Sequence, residues 1–420
     1  METIYEKKEA AIIRAIKTAG VGKKGSRPLE PELINELLDD LRENRVHPIS
    51  KAAFFGALFI KGLTPEEKNL ALAFAKAETL LDPALLASEL APDAPSFVQE
   101  ICSLLLKGET LNKESAYRLG KFLFSDAPGD GARGLVASIL RVRYETPDEY
   151  HGLWGAMQDA LEKPSTENIP AGKPVVQLAE PFDGVDNSYL ITPLLADFIQ
   201  SLNYRVVSLV GRNSGPKFGN NLLDLAKSLQ AKFLLDNQKF TDVRQDFGWY
   251  AHQADLSSAI DRWVEIRRLT IKRPFLSTLE KFLNPVKAQI LITSAFHPPY
   301  AEKMITIAER AGFPAVIVMR NGLEGTLSFP LNRPVKILCS VQKCEGEYFR
   351  KEFEINPPEI LGHEIKIDEK LQNPPLEENA RLIRDFHQNG KTDNTLFNDR
   401  IKVSCLGLKT ALDWIDQNKF

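Results

Sequence analysis

From residue 173 onward, short apolar runs alternate with amphipathic helical stretches, and few folds accommodate that pattern. The runs are Val175–Ala179, Arg205–Val210, Gln289–Thr293, Ala315–Met319 and Val335–Val341, all rich in Val, Ile and Leu. Helical periodicity fills the gaps at Leu190–Leu202, Asn221–Leu229, Asp255–Arg267 and Tyr300–Ala311. Strands buried on both faces read as continuous apolar runs, so this order predicts a mainly parallel sheet covered by helices on both sides. Glu345–Ile355 alternates in polarity and predicts an antiparallel addition near the sheet edge. Helices resume at Leu376–His387 and Gly407–Gln417.

Residues 1 to about 163 read instead as helix after helix, beginning with Ile12–Ala19, Glu32–Glu43, Lys51–Ile60 and Pro65–Lys76. Thr64-Pro65-Glu66-Glu67 and Thr146-Pro147-Asp148-Glu149 are matching helix starts: a capping threonine, proline at the first helical position and a carboxylate three residues on. They end an ungapped internal repeat. A shift of 82 residues lays Leu29–Glu67 over Leu111–Glu149, pairing Leu37 with Leu119, Lys61 with Arg143 and Thr64 with Thr146. The Pro, Ser and Gly content of Glu162–Gly172 marks a linker. The expected organisation is an additional helical unit at 1–100, a helical region at 101–163 and an α/β domain at 173–420.

Charge excludes little. Of 420 residues, 53 are Lys or Arg and 56 are Asp or Glu, a net −3 that draws no polyanion globally but permits a local basic face. The four cysteines are scattered with no CxxC, and the charged N-terminus lacks a long apolar run, so a cytoplasmic location without a membrane span is expected.

Ligands of open α/β sheets bind beyond the carboxyl ends of the strands. Pro181-Phe182-Asp183-Gly184 follows the first run and leads, through Asn187 and Ser188, to a helix start. That is the usual way to present backbone N–H groups to phosphate, although only one glycine stands in the turn. Asp183 and Asp186 suit a metal or hydroxyls; Asn187 and Ser188 equally suit a helix cap. Gly211-Arg212-Asn213-Ser214-Gly215-Pro216-Lys217 allows close backbone approach at Gly211, with Arg212 and Lys217 to meet an anion. Arg267, Lys272, Arg273 and Lys281 are candidates for phosphate contacts, as are Lys23, Lys24 and Arg27 near the N-terminus. His297 and Glu324 each follow a strand; Glu324 could hold one cation, and His297 could cap the next helix. No Ser–His–Asp signature, Walker loop, HExxH or dinucleotide fingerprint is present. No catalytic nucleophile is expected.

These segments, in this order, resemble the anthranilate phosphoribosyltransferase and pyrimidine-nucleoside phosphorylase superfamily. The carriers are Leu106-Lys107-Gly108-Glu109-Thr110-Leu111 through Met157, Leu178 to Pro193, Asp224 to Leu229, and Leu283-Asn284-Pro285. The resemblance implies an N-terminal all-helical domain, here duplicated, plus a larger α/β domain, and a homodimer formed through the helical part. It also implies a diphosphate loop of the form GTGGDG, of which Asp183 and Gly184 remain, and an adjacent Asp-Glu pair for magnesium, of which Glu324 matches the first acid while Gly325 replaces the second. Where the family reads KHG, this chain has Leu209-Val210-Gly211.

The chain looks most similar to the branch whose bacterial members bind nucleic acid as dimers. The segments that carry this are Gly22-Lys23-Lys24-Gly25-Ser26-Arg27-Pro28-Leu29, Ile191–Ala196, Thr278–Pro285, His297-Pro298-Pro299-Tyr300 and Leu323-Glu324-Gly325. The first expectation is therefore a degenerate transferase scaffold that binds DNA or RNA through Lys23, Lys24, Arg27, Arg267, Lys272, Arg273 and Lys281. The alternatives are a glycosyltransferase using phosphoribosyl pyrophosphate and Mg2+ with an aromatic amine or base as acceptor, and a non-catalytic scaffold.

Overall fold

A computed structural model describes residues 9–22, 24–162, 173–234, 240, 243–344, 346–368 and 370–418. The chain separates into two compact units. One holds the chain to Ala156 together with Arg262–Leu276; the other holds Met157–Asp261 and Ser277–Phe420. The stretch 262–276, part of the α/β segment by its place in the sequence, thus belongs with the helices.

In the helical unit the repeat recurs in three dimensions. Helix Pro48–Lys61 corresponds end for end to helix Asp130–Arg143. Both capping threonines work reciprocally: Thr64 Oγ1 accepts from Glu67 N and Thr146 Oγ1 from Glu149 N, each at 3.2 Å. The glutamates return the bond, Glu67 to Thr64 N at 2.9 Å and Glu149 to Thr146 N at 2.8 Å. Their other oxygens accept the amides of Leu29 and Leu111, both at 2.9 Å. Lys61 and Arg143 complete the pair of networks at 2.8 and 2.6 Å. Both carboxylates are fully buried, which is tolerable only because each is paired and hydrogen-bonded.

The copies differ after the cap. Pro147–Gln158 is an α-helix, whereas the expected helix Pro65–Lys76 is a 3₁₀ turn at Glu67–Ala73. Gly152 explains this: a Cβ there would lie 2.2 Å from Lys113 O, and Leu70 occupies the corresponding place in the first copy. A leucine cannot let two backbones approach that closely.

The α/β unit is built on β1 (Val175–Ala179), β2 (Arg205–Val210), β3 (Lys232–Phe233), β4 (Trp249–His252), β5 (Ile290–Ala295), β6 (Ala315–Arg320), β7 (Val335–Cys344) and β8 (Glu347–Ile355). Among the described residues they form one sheet ordered β3-β4-β2-β1-β5-β6-β7-β8. Pairing is parallel from β3 to β6 and antiparallel from β6 through β8. Every residue of β1, β2 and β5 is buried, in keeping with their continuous apolar sequence. The exposed, charge-rich β8 closes an edge that would otherwise invite pairing.

Two features depart from the sequence pattern. Strands β3 and β4 were not expected, since β3 has two residues and β4 starts on Trp-Tyr rather than on an aliphatic run. The expected helix Asp255–Arg267 is three short helices, Gln253–Leu256, Ser258–Asp261 and Trp263–Thr270, the last lying in the helical unit. No helix among the described residues is long and apolar enough to cross a membrane.

Candidate functional site

Strand β1 sends its chain toward β2 on one side and pairs with β5 on the other, so the strand order reverses beside it. Open sheets bind ligands at such a switch point, outside the carboxyl ends of the strands. Residues 180–188 leave β1 there. Val185 and Asn220 exchange backbone hydrogen bonds at 2.8 and 3.1 Å, tying this loop to the one after β2. Gly184 makes the junction possible. Its φ is +78°, and a Cβ would stand 2.5 Å from Asn220 O. Asn221 caps the next helix by accepting from Asp224 N at 2.9 Å, while its amide donates to Phe182 O and Gly211 O at 3.2 and 3.1 Å. The buried Phe182 ring lies over Gly211, where any Cβ would meet it at 2.4 Å.

Glu324, past β6 and at φ +54°, faces this loop. One carboxylate oxygen accepts from Asp186 N at 3.1 Å and Asn187 Nδ2 at 3.5 Å, and also from Lys217 Nζ. The other accepts from Asn187 N and Ser188 Oγ, both at 2.9 Å. Burial alone would raise this carboxyl. The Lys217 ammonium and the amides of Asp186 and Asn187 outweigh it and hold the pKa below the usual carboxylate value. Five donors fill the roughly four lone-pair directions of a carboxylate. Lys217 therefore stands where a bound cation was expected, and Glu324 as arranged has nothing left for magnesium. Among the described residues no cluster of three or more His, Cys, Asp or Glu is placed to hold a metal.

Four of the residues singled out from sequence thus converge on Glu324's surroundings: Gly184, Asn187, Ser188 and Lys217. Asp183 is buried in the same turn. Arg212 instead forms a forked pair with Asp261, at 2.8 to 3.1 Å, and does not reach Glu324 in this arrangement. His297 stands at the cap position of helix Pro298–Arg310 but makes no side-chain capping bond; its exposed ring lies 4.8 Å from Phe296 and 6.3 Å from Tyr300.

Sequence reasoning passed over one group, Glu180, and named Asp186 among the loop acids that could meet a metal or hydroxyls. Asp186, half-buried in the loop, has no ion-pair partner among the described residues. Its carbonyl and that of Asn187 accept from Asn373 N and Leu371 N at 2.7 and 3.0 Å, so a distant segment straps the loop in place. Glu180 directly follows β1 at 1% exposure, accepting from Thr192 Oγ1 at 2.9 Å and Leu327 N at 3.2 Å through one oxygen while the other has no hydrogen-bond partner. Burial pushes its carboxyl from 4.5 up to about 7. Between those values the unfolded chain releases a proton that the folded chain keeps, so stability falls as pH rises from about 4.5 to about 7 and levels off above. The span corresponds to about 3 kcal/mol. Glu180→Gln is expected to remove that slope in denaturant unfolding at about pH 5 and about pH 8; an unchanged slope would assign it to another group.

The described basic candidates differ in exposure. Arg267 is 4% exposed within the helical unit, and Lys281 is 7% exposed in the α/β unit with Nζ 4.0 Å from Met304 Sδ. Both side chains are buried, where they were expected to be exposed to a phosphate. Lys272 is half-buried and donates to Lys17 O at 3.3 Å. Arg273 is half-buried, Lys24 and Arg27 are exposed, and Lys23 lies outside the described residues.

No family model matches the chain. An uncharacterised protein of Aquifex aeolicus (strain VF5) is 23% identical over 278 residues, 66% of this chain and 81% of that protein. An anthranilate phosphoribosyltransferase of Geobacillus stearothermophilus is 24% identical over 230 residues, 54% of this chain and 66% of the enzyme. Among solved structures, the anthranilate phosphoribosyltransferase of Saccharomyces cerevisiae in complex with PRPP and Mg superposes with a TM-score of 0.58 at 13% identity, covering 78% of this chain and 90% of that one. The Thermus thermophilus enzyme gives 0.50 at 18% identity, covering 77% and 98%. The chain thus has the fold of the anthranilate phosphoribosyltransferases, an N-terminal helical part with a larger α/β part on a mainly parallel sheet.

Proposed function

We propose that the α/β unit binds a diphosphorylated sugar of the phosphoribosyl pyrophosphate class as its magnesium complex and transfers the sugar to an aromatic acceptor. The observation that carries this is the charge of the switch-point loops. Lys217 is spent on Glu324 and Arg212 on Asp261, while the carboxylate of Asp186 is left unpaired. Such a surface repels bare phosphate and attracts a metal complex. Magnesium is commonly held by one or two carboxylates plus substrate phosphates, so a site without a protein-only metal cluster fits a metal that arrives with the diphosphate. Asp186 is the residue to meet it, with Asp183 behind.

The acceptor class follows from Phe296, which is 54% exposed directly after a wholly buried strand. A Cβ on Gly325 would lie 3.3 Å from Pro181 and 3.8 Å from the Phe296 Cβ, so the base of this side chain stands next to the β1 turn. In the transfer the sugar C1–O bond to diphosphate breaks and a C1–N bond to the acceptor forms. Diphosphate leaves with the electron pair, and the acceptor nitrogen gives up a proton. Positioning and charge suffice for such a step without a protein nucleophile. The burial of Arg267 and Lys281 lends nothing to the nucleic-acid reading.

Millimolar phosphoribosyl pyrophosphate with magnesium is expected to raise the melting temperature by mass action. Asp186→Asn and omission of magnesium should each abolish the rise. An unchanged melting curve for the unmodified protein would overturn the proposal.

A further inference from the structure

We propose a second site, in the helical unit: the pseudo-symmetric pocket formed by the two repeats binds a small phosphoryl anion, a phosphomonoester or diphosphate. A cavity of about 440 Å³ opens there, lined by Gly22, Ser26, Lys61, Lys107, Gly108 and Arg143 over an apolar floor that includes Ile60 and Val142. That volume is in the range of small-molecule sites. The lining repeats at the shift of 82 residues: Ser26 corresponds to Gly108, Ile60 to Val142 and Lys61 to Arg143. The pocket is therefore a product of the duplication, not of either copy alone.

Its charge has one sign. Three cations line it and no carboxylate does. The glutamates that pair with Lys61 and Arg143 are not part of the lining; Glu67 and Glu149 are fully buried, and each also serves two backbone amides. They hold the two cations in fixed positions. Arg143 Nε is buried without a hydrogen-bond partner, although its terminal nitrogen reaches Glu149. Lys107 is exposed and has no ion-pair partner among the described residues, so the pocket keeps a net positive charge.

The backbone leaves room for a ligand. Gly22 and Gly108 take φ of +130° and +80°, and nothing lies within 4 Å of a Cβ built on Gly108. Lysine and arginine flanking glycine turns suit phosphoryl oxygens, which accept several charge-assisted hydrogen bonds at once. Lys24 and Arg27, exposed on the turn that begins at Gly22, add to the attracting field.

The test uses the full chain with two probes, inorganic pyrophosphate and glycerol 3-phosphate, read by amide hydrogen exchange. Saturable protection of residues 22–27 and 106–110 is expected. Lys107→Glu, an exposed change, should weaken it by about tenfold or more by reversing the one unpaired charge. Arg143→Lys should weaken it by about threefold, because it removes Nε while keeping the pair with Glu149 as Lys61 keeps its own. Lys217→Ala, which acts on the α/β unit, should leave protection of these segments unchanged. No protection by about 10 mM of either probe, a probe concentration far above ordinary metabolite affinities, would overturn the proposal. So would equal affinity in Lys107→Glu. Protection confined to residues 182–188 would also overturn it while leaving the α/β reading intact. Protection by duplex DNA alone would overturn it in favour of a polyanion surface.

Discussion

Replacing Glu149 by alanine is expected to destabilise the helical unit by about 3–5 kcal/mol, a large fraction of what holds an ordinary domain folded. The carboxylate is fully buried and satisfies three groups: the amides of Leu111 and Thr146 and the Arg143 guanidinium. Alanine leaves all three donors without their acceptor at once. A guanidinium left in place without its partner costs more than the pair contributed, because the desolvation penalty stays while the attraction goes. Glu67→Ala should cost a similar amount, since Leu29, Thr64 and Lys61 stand in the same relation. Hydrogen exchange at the Leu29 and Leu111 amides reads each network separately from global unfolding. Adding Arg143→Met to Glu149→Ala should recover part of the loss. A loss below about 1 kcal/mol in the single variant would mean that the buried network contributes no more than a surface pair.

Gly184→Val is the second large effect, about 3 kcal/mol or more, together with loss of magnesium-dependent ligand stabilisation. Two penalties combine. The φ of +78° is a conformation that a β-branched residue adopts only under strain, and the new Cβ would stand 2.5 to 2.7 Å from the backbone of Gly219 and Asn220. Neither atom is the end of a flexible side chain, so the two loops must separate. Gly362 is the internal control: its φ is +82°, and nothing lies within 4 Å of a Cβ there. Gly362→Val should show the conformational penalty alone, about 1–2 kcal/mol. Equal losses at the two positions, by denaturant unfolding, would show that the β1 and β2 loops need not touch.

Much of this architecture was legible before any coordinates. Strands β1 and β2 match their expected bounds residue for residue, and β5 to β7 differ only at their ends, because runs buried on both faces announce themselves by composition. The caps at Thr64 and Thr146 were equally plain, since a capping box needs only four consecutive residues. Strand β4 was not, because its neighbours in the sheet, not its own sequence, make Trp249–His252 a strand. In the site, Gly184, Asn187, Ser188 and Lys217 were visible as loop residues after strands. Lys217 bonding Glu324 was not, since 107 residues separate them.

Local order therefore settled the bounds of β1 and β2 and the two threonine caps, through hydrogen bonds and packing patterns that span a few residues. Only the tertiary structure decided which charges face solvent and which face each other. Arg267 and Lys281 read as surface cations and are buried. Glu324 read as a metal ligand and holds an ammonium. The physical reason is that charge pairing and burial depend on distances set by strand order and helix packing, which no local pattern encodes.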